Sequence, residues 1–155
     1  MELFELKEKG DFPDNIKLNR IYRQFQEILK ELRKRELPEK IVELINPKIE
    51  DLNSTSYTDK ELIKLFKKKQ KIILELLEKE SKIVPKNHYR NLWMAVGMSA
   101  FGLPIGVVLG LTVLDNVALL GIGVPIGMAI GIALGSGMDK KALKEGRQLD
   151  LEIKY

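Results

Sequence analysis

The chain has 155 residues, 31% of them charged, with 26 Lys and Arg against 22 Asp and Glu, one His and no Cys. Its formal charge of +4 is evenly spread: residues 1–85 hold 19 basic and 17 acidic side chains, and residues 86–155 hold 7 and 5. Such mixed signs describe solvated helix faces and argue against nucleic acid as a partner. The lack of cysteine excludes disulfides, thiolate metal sites and cysteine catalysis. No nucleophile–base pair, phosphate-cradling loop or metal-ligand spacing occurs either, so the sequence predicts a non-enzyme without cofactor or metal.

The opening stretch Met1-Glu2-Leu3-Phe4-Glu5-Leu6-Lys7-Glu8 lacks the basic start and apolar run of a secretory signal. The N-terminal part is therefore expected in the cytosol. Ile16 opens a helical pattern in which Leu18, Ile21, Tyr22, Phe25, Ile28, Leu29 and Leu32 recur at three- and four-residue spacing. Asp14 or Asn15 can cap it, and Leu37-Pro38 ends it. Ile41, Val42, Leu44 and Ile45, between Pro38 and Pro47, predict a two-turn helix, followed by a loop at Asn53-Ser54-Thr55-Ser56. Thr58-Asp59-Lys60-Glu61 has the spacing of a capping box. The helix it starts runs through Leu62, Phe66, Ile73, Leu76 and Leu77 towards Ser81, with Lys69 and Glu80 interrupting the stripe. The basic cluster Lys67-Lys68-Lys69-Gln70-Lys71 is read as a solvated face, with contact to anionic lipid as the alternative. Residues 1–85 thus form a small helical bundle with a marginal core, bounded by Pro85, which disfavours helix at the residue before it.

Beyond Pro85 the character changes. No residue is charged from Leu92 to Leu114, nor from Asn116 to Met138, and each run has the roughly 20 residues that span about 30 Å of hydrocarbon. Asp115 and Asn116 supply a turn between them; a single long helix is the rival, at the cost of burying Asp115 in mid-bilayer. The expectation is an all-α protein: a two-span transmembrane hairpin at 86–138, with spans at 92–114 and 117–138, a cytosolic bundle at 1–85 and a cytosolic tail at 139–155. Lys86 and Arg90 before the first span, and Lys140 and Lys141 after the second, place both termini in the cytosol by the positive-inside rule. Tyr89 and Trp93 fit an aromatic belt beside them, and His88 is a polar residue of the same interface. The last residues alternate, Leu149, Leu151, Ile153 and Tyr155 against polar neighbours. That is a strand period, with Leu3–Leu6 as a candidate partner; a disordered tail is the alternative.

Inside the spans one pattern occurs twice. Gly102, Pro104, Ile105, Gly106 and Gly110 are matched by Gly123, Pro125, Ile126, Gly127 and Gly131 at an offset of 21 residues (Gly102 to Gly123), and the second copy continues to Gly135. Glycine at every fourth position clears one helix face for close backbone packing. On the second span Gly121, Ala129, Ala133 and Gly137 form another small face, roughly 200° away from the first. One face can take the hairpin's own first helix and the other a neighbouring subunit, so a homo-oligomer is expected. Pro104 and Pro125 each free a carbonyl, which is either a fixed bend or a gate. No ionisable side chain lies in either span, and Ser99, Thr112 and Ser136 are their hydroxyls; a pump would need more.

The repeated Gly-x-Pro-Ile-Gly-x-x-x-Gly units, followed by Gly135-Ser136-Gly137-Met138-Asp139-Lys140-Lys141, resemble small bacterial glycine-zipper membrane proteins over Tyr89–Gln148. The resemblance implies the bacterial inner membrane, with membrane lipid as surroundings, and leaves the bundle unmatched. More distantly the hairpin is similar to the rotor-ring subunit of ATP synthases, but the mid-membrane carboxylate of that family is missing here. The functional expectation is a weakly selective homo-oligomeric channel or pore-forming effector; the alternative is a non-conducting accessory or scaffold subunit of a larger membrane complex.

Overall fold

Residues 2–7, 15–54, 59–113 and 121–154 are described by a computed structural model, which contains helices and no β-strand among them. Their contacts divide the chain into two units, Met1–Val84 with Leu149–Tyr155, and Pro85–Gln148. Asp14, Thr58, the residues Asp115 and Asn116 expected to form the turn, and the side chain of Thr112 lie outside the described residues.

The first unit is built from α1 (Ile16–Arg33), α2 (Glu39–Ser54) and α3 (Asp59–Ser81). Asn15 caps α1, its side chain accepting the Leu18 N–H at 3.0 Å. This satisfies one of the donors every helix start leaves open. The α1 stripe from Leu18 to Leu32 is buried, while Ile16, at its first position, is 86% exposed. Phe25 and Tyr22 meet Phe66 of α3 edge-on, with ring centroids 5.6 and 5.8 Å apart.

α2 is twice as long as the sequence predicts. It passes through Pro47 and includes Asn53 and Ser54, which were expected in a loop. The proline removes one helical N–H, but Ile49 and Leu52 beyond it are fully buried. Burying each is worth about 1.5–3 kcal/mol, enough to carry the helix through. On α3 the buried stripe runs Leu62, Phe66, Gln70, Ile73 and Leu77. Gln70 is thus a polar member of the core, and its Oε1 has no hydrogen-bond partner among the described residues.

Two terminal segments complete this unit, and no strand pairing joins them among the described residues. Asn46 of α2 accepts the Phe4 N–H at 2.8 Å and donates to Glu2 O at 3.0 Å. Asn53 accepts the Lys7 N–H and donates to Glu5 O, both at 2.8 Å. Each amide therefore stands in for a neighbouring strand. The register follows from two rises: seven helical residues advance about 10.5 Å, and three extended residues about 10 Å. At the other end of the chain Leu149 is buried and Leu151 and Ile153 are half-buried against the core. The Leu149 N–H bonds Val84 O at 2.9 Å, and the Lys154 N–H bonds Gln24 Oε1 at 3.0 Å. The alternation in the tail is real, but helix side chains and a loop carbonyl take the place of a strand partner.

Candidate functional site

The second unit comprises α4 (His88–Val96), a π-helical segment (Gly97–Gly102), α5 (Leu103–Val107), a second π-helical segment (Val108–Val113) and α6 (Gly123–Lys144). Backbone angles stay right-handed helical across the joins at Gly97, Leu103 and Val108. The first arm is therefore one continuous helical rod. Its stretch His88–Gly110 is 23 residues with a mean hydropathy of 1.9 over its best window. Among the described residues it is the one helix long and apolar enough to cross a membrane. The beginning of the second apolar run lies outside the described residues, and α6 starts at Gly123 and runs on into Asp139 and Lys140.

The two arms are antiparallel, and they touch through main chain. On α6 Gly123, Gly127, Gly131 and Gly135 are buried. A β-carbon added to Gly123 falls 2.6 Å from Gly106 Cα, and one on Gly127 falls 2.6 Å from Gly102 Cα. At Gly131 the nearest atoms include Trp93 C at 2.7 Å, and at Gly135 they include Arg90 Cα at 2.6 Å. These neighbours are backbone, which cannot rotate away as a side chain can. Gly110 is buried in the second π-helical segment.

Gly97 belongs to the same contact, although it is not part of the repeated motif. A β-carbon there falls 2.9 Å from Gly131 Cα. It lies five residues before Gly102, and in an unbroken α-helix that spacing turns it about 140° off the contact face. The π-helical segment spans these two glycines, and its i→i+5 turn absorbs the additional residue. The same segment ends two residues before Pro104, whose ring in a regular α-helix presses on the carbonyl four residues back. Pro104 is the second residue of α5, inside the continuous rod. Pro125 is the third residue of α6, where a helical N–H has no intrahelical partner to lose.

The buried α6 series continues past the glycines at the same four-residue step, to Asp139. Its Oδ1 accepts the Tyr89 N–H at 3.1 Å and its Oδ2 the Arg90 N–H at 2.9 Å. α4 is preceded by Asn87 in the left-handed region (φ 60°), which gives it no side-chain cap. The cap comes from the other arm, and its negative charge suits the helix N-terminus. Asp139 was missed by sequence reasoning, yet its place in the glycine series was visible. α6 then ends on Gly146 (φ 68°), with Gly146 N–H to Leu143 O at 3.1 Å and Arg147 N–H to Ala142 O at 2.8 Å. That is the glycine stop of a Schellman motif.

The opposite face of this arm is open among the described residues. Gly121, Ala129, Ala133 and Gly137 are exposed, and a β-carbon on Gly121 or Gly137 meets nothing within 4 Å. Ser99 bonds back to its own helix, at 3.2 Å from both Ala95 O and Val96 O. Lys86, Arg90, Lys140 and Lys141 are exposed, and Tyr89 and Trp93 are half-buried. Past the end of α6, hydrogen bonding from Arg147 holds the Glu145 carboxyl below its ordinary range. The described residues contain no group of three or more His, Cys, Asp or Glu that could hold a metal. No protein family, curated protein or solved structure matches the chain.

Proposed function

We propose that this protein is an integral membrane homo-oligomer of the bacterial inner membrane, inserted as a two-span hairpin with both termini cytosolic, and that the assembly is a weakly selective channel or pore. The observation that supports this best is the division of α6 into two small faces. Gly123, Gly127, Gly131 and Gly135 are used against the first arm of the same chain, while Ala129, Ala133 and Gly137 remain exposed. In lipid, where side-chain burial supplies no hydrophobic gain, an open small face is where another helix approaches closely; the two faces together make a glycine zipper within and between subunits. With no charged ring along the apolar arms, selectivity is weak.

The test is made on purified full-length protein. Gly137→Leu keeps the monomer folded but lowers the particle mass in detergent, and wild-type protein in liposomes releases small ions while Gly137→Leu releases less. Particles of monomer mass in the wild type would sink the assembly. A non-conducting scaffold subunit of a larger complex is the second reading. The back-bonded hydroxyl of Ser99 favours it, because a polar group of the arm is spent on its own backbone. Well-formed oligomers in ion-tight liposomes select that reading.

A further inference from the structure

At the end of the second unit where Asp139 caps α4, the two arms part to form a cleft of about 430 Å³, within the range of small-ligand sites. Lys86 borders it from the turn before α4 and Arg90 from α4 itself, and Ser136, Asp139, Lys140 and Leu143 from α6. Three cations and one carboxylate leave a net +2 around the opening. Both oxygens of Asp139 are engaged by the Tyr89 and Arg90 N–H groups. None of Lys86, Arg90 and Lys140 forms an ion pair with a carboxylate among the described residues. By contrast Lys141 and Arg147 are both committed to Glu145. The cleft therefore gathers three cations that have no carboxylate ion pair among the described residues.

Its position selects the anion. Directly beyond the cleft both arms enter their uncharged stretches, forward from Leu92 on one and back from Met138 on the other. A ligand with a phosphate in the cleft and hydrocarbon alongside the arms satisfies both parts. We propose that this cleft binds the phosphate headgroup of an anionic phospholipid, in the way basic pockets between membrane helices hold such groups at the cytoplasmic side. Ser136 and the Lys and Arg donors supply hydrogen bonds to the phosphate oxygens. The inference rests on the membrane insertion proposed above.

The test uses the full chain reconstituted in phosphatidylcholine vesicles carrying a minor share of phosphatidylglycerol, with retained lipid read by native mass spectrometry. Wild-type protein retains phosphatidylglycerol above its bulk share. Lys86→Gln, Arg90→Gln and Lys140→Gln each lower that preference by about fivefold, the equivalent of about 1 kcal/mol for one basic residue near an anionic surface. A Lys67→Gln/Lys68→Gln double variant, which removes charge from α3, leaves it unchanged. Equal retention of the two lipids by a chain that inserts into neutral vesicles overturns this site alone. An equal loss in the α3 variant replaces the cleft by general surface charge. Displacement of the lipid by millimolar inorganic phosphate assigns the cleft to a soluble anion and overturns the lipid. Failure to enter vesicles of either composition overturns the membrane insertion together with the site.

Discussion

The two units solve the packing of helices in opposite ways. In the bundle, α1, α2 and α3 are held apart and together by large side chains, with Phe25, Phe66, Ile28, Leu32, Ile45 and Ile73 all fully buried. In the Pro85–Gln148 unit the contact face of α6 carries almost no side chains. Gly123, Gly127, Gly131 and Gly135 bring main chain against main chain. A side-chain core can redistribute a small volume change through rotamers and slight helix shifts. A backbone contact has nothing to rotate, so its tolerance is close to zero on the contact face and generous elsewhere. Position along the helix, and not chemistry, decides the outcome.

A one-carbon change in each unit gives the largest contrast. Ile73→Val in the bundle costs about 0.5–1.5 kcal/mol. Gly131→Ala adds one carbon and forces the arms apart at Trp93, and Gly131→Leu goes beyond the roughly 4 kcal/mol that marks exceptional destabilisation. Gly137→Ala, on the open face, stays within about 1 kcal/mol of wild type. Thermal unfolding of the purified protein in one detergent ranks the four; a mild Gly131→Leu would end the account of backbone contact.

Side-chain amides hold the N-terminal segment to the bundle, so removing them sharpens what side chains do there. Asn46→Ala strips the Phe4 N–H and Glu2 O of their partner in a buried setting and costs about 1–3 kcal/mol. Asn53→Ala, at a less buried site, costs less. Proteolytic release of residues 1–7 should follow the same order, and an Asn46→Ala segment as resistant as wild type contradicts the paired-amide register.

Asp139 is the one polar residue in the buried series of α6 among the described residues. Asp139→Ala removes a cap and costs about 0.5–2 kcal/mol, while Asp139→Asn keeps one acceptor and loses less. Amide exchange at Tyr89 and Arg90 reports it directly: faster exchange at these two positions is expected in Asp139→Ala, with Trp93 onward unaffected.

The smallest effect is a pH dependence in the bundle. Hydrogen bonding from Lys34 lowers the pKa of Glu31 below its usual 4.5, and the Asp150 N–H adds to this. A lowered folded pKa means the stabilisation is present above the unfolded value and is lost as pH falls through the folded one. Glu31→Gln should therefore be less stable than wild type at pH 7, by under about 1 kcal/mol, because the Lys34 partner is 61% exposed and solvent screens the pair. The difference should close in acid below the ordinary glutamate range. A gap that widens on acidification reverses the sign and refutes the linkage.

Much of this is legible in the residue pattern alone. The α1 stripe from Leu18 to Leu32 is readable because a 3.6-residue period reports burial directly, whatever the partner is. The glycine steps of α6 are readable for the same reason, and the uncharged run read as 92–114 overlaps the apolar helix His88–Gly110. α2 misled because Pro47 is a local signal for a helix end, while the burial of Ile49 and Leu52 that overrides it is a tertiary quantity. Gly97 was passed over because its five-residue spacing to Gly102 fits no α-helical face; it joins the contact once a π turn absorbs the additional residue.

The residue sequence by itself determined which positions of each helix carry bulk, which carry none, and where charge stops. These are properties of one chain segment and its period. Only the tertiary structure decided what each face meets: that the glycines of α6 lie on the backbone from Tyr89 to Gly106, that Asp139 reaches the bare start of α4, that Asn46 and Asn53 read residues 2–7, and that the tail lies along α1 without a strand partner. Each of these joins groups tens of residues apart through a match of two rises or two registers, and such a match exists only when both segments are present in space.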